Sequence, residues 1–123
     1  MNVGDVHWVE FPPRNGRVQA GRRPAIVAQD AAVTSLLPTI LLIPLTTQLA
    51  ALRFPGTVLV DPDKENRLHR SSVALVFQLT VLDQRSLGPR MGRVSQSVVN
   101  AIWAALDNLT GRGENDTGNL GSE

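Results

Sequence analysis

A chain of 123 residues with 42% apolar residues, no cysteine and a net charge of +1 has enough material for one small domain with a modest core. The missing cysteines exclude disulfide staples, a thiolate nucleophile and a Cys-ligated zinc. No apolar run nears the ~18 residues of a membrane span; the longest, Ile40 to Leu45, is strand-sized and contains Pro44.

The distribution of charge says more than its sum. Eleven of the twelve basic residues are arginine, and four of them (Arg14, Arg17, Arg22 and Arg23) fall between Phe11 and Gln29 with no acid among them. The last thirteen residues, "GRGENDTGNLGSE", are acid-rich, so the part expected to fold is more basic than the whole. The opening "MNVGDVHWVEF" has neither a positive n-region nor a long apolar stretch, so no secretory signal is expected and the cytoplasm is the expected compartment.

Short strand signals follow one another, each bounded by turn residues. "VGDVHWVEF" (3–11) stops at Pro12-Pro13, and "RPAIVAQD" (23–30) is the second strand. Arg23 precedes Pro24 and is biased to extended backbone. "PTILLIPL" (38–45) is apolar on both faces and reads as a central strand. "GTVLVD" (56–61) and "SSVALVFQ" (71–78) are the fourth and fifth, and "GPRMGRV" (88–94) a short sixth.

One helix is expected next. Ser95 can cap it, and Val98, Val99, Ile102, Trp103, Leu106 and Leu109 recur at helical spacing, predicting a stripe laid on the sheet. Residues 111–123 carry almost nothing apolar and are expected to be a disordered tail, leaving a domain over 1–110. Several strands and one terminal helix, without crossover helices, argue for a small curled barrel rather than a parallel α/β sheet.

Two loops hold the chemistry-bearing residues: the arginine-rich 12–22, and 46–56, "TTQLAALRFPG", which leaves the central strand with Thr46, Thr47, Gln48 and Arg53. Arginine is a fixed charge whose planar fork suits phosphate. His7 and His69 stand far apart with no metal-ligand spacing around them, so no metal or cofactor is expected. Trp8, Phe11, Phe77 and Trp103 read as core or subunit-contact aromatics from their strand and helix settings.

In order, "GDVHWVEFPP", "GRVQAGRRPAIV", "IPLTTQ", "SVALVFQLTVLD" and "LGPRMGRVS" resemble the MazF/PemK family of toxin endoribonucleases over residues 3 to about 110. The resemblance implies a mainly β, SH3-like (PemK/CcdB-type) barrel of five to seven strands with a C-terminal helix, assembled as a homodimer. It further implies metal-independent cleavage of single-stranded RNA, and inhibition by an antitoxin protein, whose acidic C-terminal segment would lie across the basic rim.

By the same resemblance the family's essential arginine falls on Arg23 and its essential hydroxyl on Thr46, with Gln19 and Gln78 matching its two glutamines. Arg14, Arg17, Arg22 and Arg53 are then candidates for tracking the RNA backbone, and Thr47 and Gln48 for reading base edges. The chain departs from the family pattern at Val18, Ser71 and Phe77, where many members carry acids. Those departures leave the proton acceptor unassigned. They also keep two other readings open, a non-catalytic barrel that binds RNA or protein and a CcdB-like gyrase-directed toxin.

The reaction suits such a chain. The 2′-hydroxyl of RNA can attack its own phosphodiester, so the protein need supply no nucleophile. It must stabilise charge on the pentavalent phosphorane, which a positioned arginine does. Arg23 is expected in that role, with Thr46 holding a phosphate oxygen or orienting Arg23.

Overall fold

A computed structural model describes residues 1–13 and 21–113. Arg14, Arg17, Gln19 and Val18 lie outside the described residues, as does the acid-rich segment from residue 114 onward.

Seven antiparallel strands build one curled sheet. Its elements are β1 (Asp5–Phe11), β2 (Gly21–Val27), β3 (Thr39–Thr46), β4 (Thr57–Val60), β5 (Ser72–Leu75), β6 (Thr80–Asp83) and β7 (Leu87–Arg93), with helix α2 (Gln96–Thr110) after them and a four-residue helix α1 (Ala31–Thr34) after β2. The strand order is β4-β5-β3-β2-β1-β7, and β6 pairs with β3 beside β5. β3 is central, as its two-faced apolarity predicts: its first half pairs with β6 from Thr39 to Leu42, and its end pairs with β5 at Leu45 and Thr46.

Alternation along the strands makes two cores. Val6, Ile26, Ile43 and Leu45 point to one face and meet Val99 and Ile102 of α2. Val9, Phe11, Val27, Ile40, Leu42 and Leu82 fill the other. The side-chain period of two sends neighbours such as Ile26 and Val27 into opposite cores, which is why few polar residues fit in these strands.

α2 begins where expected. Ser95 Oγ accepts from the Val98 N–H at 3.3 Å, a cap of about 1 kcal/mol. The helix ends at Gly111, whose φ of +84° is a left-handed conformation that glycine adopts without a Cβ penalty. The expected stripe is wider than the buried one. Val99 and Ile102 are buried, but Trp103 and Leu109 remain 37% and 40% exposed, because the sheet covers only the centre of the helix.

Two expectations need correction. The fifth strand does not run to Gln78; it stops at Leu75, and Val76–Gln78 forms a 3₁₀ turn from which β6 departs. The run "VALVFQLTVL" holds no glycine or proline to mark that bend, so one strand was expected where there are two. The second strand ends at Val27, because Asp30 caps α1 by accepting from the Ala32 N–H at 2.9 Å.

The sheet curls as expected without closing: no pairing joins β4 to β7 among the described residues. The loop 61–71 joins those edges instead. The Arg93 N–H donates to the Glu65 carbonyl at 2.8 Å. Asn66, 1% exposed, pins the loop from inside, donating to the Asp61 carbonyl at 2.9 Å and accepting from the N–H groups of Asp63 and Leu68. Gly92 lies directly beneath, where a Cβ would overlap the backbone of Glu65 and Asn66.

Candidate active site

The start of β2 and the end of β3 lie together at one end of the sheet. β2 presents Arg22 and Arg23 there, paired with Glu10 and Val9 of β1, and β3 ends alongside at Thr46. A cleft of about 280 Å³ is lined by Arg22, Arg23, Thr46, Thr47 and Ser72. A smaller one of about 140 Å³ is lined by Arg23 and Thr46 again, with Gln48, Phe54, Phe77 and Gln78. Arg23 and Thr46 therefore form the wall common to both.

Arg23 is half-buried, and that partial loss of water lowers its pKa from the ordinary arginine value. It stays charged nonetheless, since arginine does not lose its proton in proteins. Three ion pairs occur among the described residues, Arg85–Asp83, Arg90–Asp5 and Arg112–Asp107. None involves Arg22, Arg23 or Arg53. A partly desolvated cation with no counter-charge favours an anion in the cleft beside it.

Thr46 is oriented by its own turn. The Gln48 N–H donates to Thr46 Oγ1 at 3.2 Å, closing a hydroxyl turn at the strand end. That bond occupies an acceptor lone pair, so the O–H proton remains available as a donor. A guanidinium and a hydroxyl donor side by side can bind two oxygens of one phosphate.

Arg22 is exposed and its guanidinium sits 4.7 Å from the centre of the Trp8 ring, a cation–π contact that steadies a long side chain at the cleft mouth. Arg53 lines neither cleft. It stacks 4.6 Å over Phe54, which does. Gln78 and Gln48 border the smaller cleft and Thr47 the larger, so of the candidate residues within the described part only Arg53 acts at one remove.

The histidines are elsewhere. His7 is buried, with Nδ1 2.9 Å from the Gly88 carbonyl, which makes Nδ1 the protonated nitrogen. His69 is exposed in the 61–71 loop. Neither cleft has an imidazole or a carboxylate among its described lining residues. Ser71 hydrogen-bonds Asp61 at 2.8 Å.

Aromatic placement departs from expectation. Phe11 is buried, but Phe77 is 39% exposed and Phe54 43%, their rings 5.6 Å apart at the edge of the smaller cleft. Phe54 and Ser72 were missed as site residues in the sequence. Phe54 had a signal, an aromatic beside Arg53 in the very loop that carries the polar candidates, whereas Ser72 has none outside the fold.

Comparison with known proteins agrees with this geometry. Residues 2–110 match the family described as PemK-like, MazF-like toxin of type II toxin-antitoxin system. The chain is 31% identical to Endoribonuclease MazF6 of Mycobacterium tuberculosis over 107 residues, covering 86% of this chain and 93% of that protein. Its fold is similar to a crystal structure of MazF from Deinococcus radiodurans, with a TM-score of 0.75 at 28% identity over 90% of this chain and 96% of the other. A MazE–MazF structure from the same organism gives a TM-score of 0.71 at 28% identity, over the same shares of the two chains. A curled antiparallel sheet with a terminal helix, matched by the family over residues 2–110, thus belongs to a chain that is a member of the PemK/MazF family of type II toxins.

Proposed function

We propose that this protein is a sequence-selective endoribonuclease, the toxin of a toxin–antitoxin pair, cutting single-stranded RNA by attack of the RNA's own 2′-hydroxyl. The observation that carries the reading is the Arg23–Thr46 wall, a half-buried arginine without a carboxylate partner among the described residues beside a hydroxyl free to donate.

In this reaction the O2′–P bond forms, the P–O5′ bond breaks, and the products are a 2′,3′-cyclic phosphate and a 5′-hydroxyl. Arg23 stabilises the extra charge on the phosphorane, and Thr46 donates to a second oxygen. The proton from the 2′-oxygen leaves to an acceptor outside the described lining residues, and the 5′-oxygen takes one up. Arg22 and Thr47 lie on the same cleft and hold flanking phosphates, and Gln48 and Gln78 border the other as readers of base edges. RNA of this kind is met in the cytoplasm, where the protein would act, and an antitoxin with an acidic segment would cover the same cationic rim. A second copy of the chain would complete a homodimer.

The absence of a carboxylate on the described cleft walls favours one rival reading, a barrel that binds RNA without cutting it. Incubation with a long single-stranded RNA in EDTA, beside Arg23→Ala, decides between them. Discrete cuts by wild type ending in 2′,3′-cyclic phosphate, absent with Arg23→Ala, are expected. Equal cutting by both proteins overturns the role of Arg23, and binding without cuts makes the rival correct.

A further inference from the structure

The smaller cleft has an outer wall that phosphate chemistry does not require. Phe54 and Phe77 are 43% and 39% exposed, their ring centres 5.6 Å apart and their planes inclined at 55°. Two large apolar rings partly open to water side by side leave some of their possible burial unrealised. Neither is loose. The Phe77 N–H donates to the Gly56 carbonyl at 3.1 Å, tying the turn after β5 to the loop before β4. The Phe54 N–H donates to Ala51, and its carbonyl accepts from Thr57 Oγ1 at 3.0 Å. Arg53 stacks on the Phe54 ring at 4.6 Å. The pair is thus a preorganised surface on the cleft that also holds Arg23, Thr46, Gln48 and Gln78.

We propose that Phe77, backed by Phe54 and Arg53, is a stacking platform for a nucleobase next to the cleaved phosphate, and so helps set which sequence is cut. The inference rests on the reading of the protein as an endoribonuclease. Single-stranded RNA is held largely by ring stacking on aromatic and guanidinium planes, together with cations along the backbone. Here one face of Phe54 is taken by Arg53, and Phe77 leans on the same ring, leaving Phe77 to receive the base. Gln48 and Gln78 carry amides on the same wall that can meet the edge of a stacked base, while the ring itself tolerates any base.

The test couples a base to the ring. A short RNA spanning a mapped cut is made with an abasic nucleotide at each position in turn, and cleavage is compared for wild type, Phe77→Leu and Phe77→Tyr. Stacking on an aromatic changes affinity about 5- to 100-fold per base. One abasic position is therefore expected to slow wild type and Phe77→Tyr by that factor, and to leave Phe77→Leu, already slowed on the intact RNA, little changed. An abasic profile identical in wild type and Phe77→Leu overturns the platform while leaving the endoribonuclease reading intact. If Phe77→Leu keeps that profile but changes the oligomeric state by sedimentation, the pair belongs to a protein interface and the proposal is also overturned. Should wild type cut no RNA, the endoribonuclease reading falls. The platform is then judged by binding of the same RNAs: a ring-dependent abasic penalty upholds it, and none rejects it.

Discussion

Arg23 of β2 and Arg90 of β7 flank the same strand, facing Val9 and His7 of β1, and have been given opposite surroundings. Arg90 lies 3.3 Å from Asp5, a carboxylate whose side chain is 4% exposed, in the region where the 61–71 loop jams against β7. Arg23 is half-buried on a cleft wall with no carboxylate bonded to it among the described residues. Where the fold must hold its two sheet edges together, charge is matched and backbone is packed until only glycine fits at position 92. Along the clefts where RNA is proposed to bind, charge is left unmatched among the described residues, rings are left wet and a hydroxyl proton is left unused. Stability and binding compete for the same groups, and each region has resolved the competition differently.

The largest effect that tests this contrast is the loss of Arg23. Arg23→Ala should lower cleavage about 10² to 10³-fold, the usual consequence of deleting one preorganised donor at developing charge. It should also leave the melting temperature unchanged or slightly raised, since it removes a partly desolvated charge that has no partner. A melting temperature that falls along with activity would mean that Arg23 is as structural as Arg90, and the contrast would break. Thr46→Ala should be milder, about 10- to 100-fold, as expected for one hydrogen bond to a charged group. Thr46→Ser should recover most of it, because the hydroxyl and its bond to the Gln48 N–H both survive. A serine variant as slow as the alanine one would instead implicate the methyl group and packing.

The other region is tested by Gly92→Ala. The added Cβ meets the Glu65 carbonyl and the Asn66 backbone, neither of which is a flexible side-chain end. Overpacking of this kind costs about 1–3 kcal/mol. The denaturation midpoint should fall accordingly, while the rate per folded molecule at low temperature stays near wild type. A loss of cleavage without a loss of stability would show that the loop closure and the cleft act as one unit.

How much of this was legible in the sequence follows from what each signal depends on. β3 was readable because both of its faces are buried, and a continuous apolar run reports that directly. α2 was readable from Ser95 and its apolar spacing. β6 was hidden, since the turn between Leu75 and Thr80 is made by backbone geometry rather than by glycine or proline. The open sheet was hidden as well, because its closure rests on Asn66 and Gly92, two residues separated in sequence that gain meaning only in contact. The pairing of Arg23 with Thr46 came from family resemblance; composition had shown only an arginine-rich loop. Of the two settings expected for Phe77, core or subunit contact, strand periodicity among valines and leucines suggested the first, and its exposure removes that one. The 3₁₀ turn at Val76–Gln78 rotates it outward.

The smallest effect belongs to Arg85, a cation whose side chain is 90% exposed but already paired. Its guanidinium Nε lies 3.0 Å from Asp83 Oδ1, and those side-chain hydrogen bonds, with help from the Arg85 N–H, pull the Asp83 carboxyl down to about 2. A carboxyl depressed in the folded state contributes stability that is fully present above its unfolded pKa of about 4, and that contribution is lost as pH falls through that value towards 2. The pair is open to water and salt, so its share at neutral pH is slight. Arg85→Gln should move the Asp83 midpoint, followed by its side-chain NMR shift, part of the way back up, with the Arg85 N–H bond to Asp83 retained in the variant. Cleavage should be unchanged. If Arg85→Gln slowed cleavage as Arg23→Ala is expected to, then having a carboxylate partner would not separate the structural arginines from the working one, and exposure to the RNA path would have to replace it as the criterion.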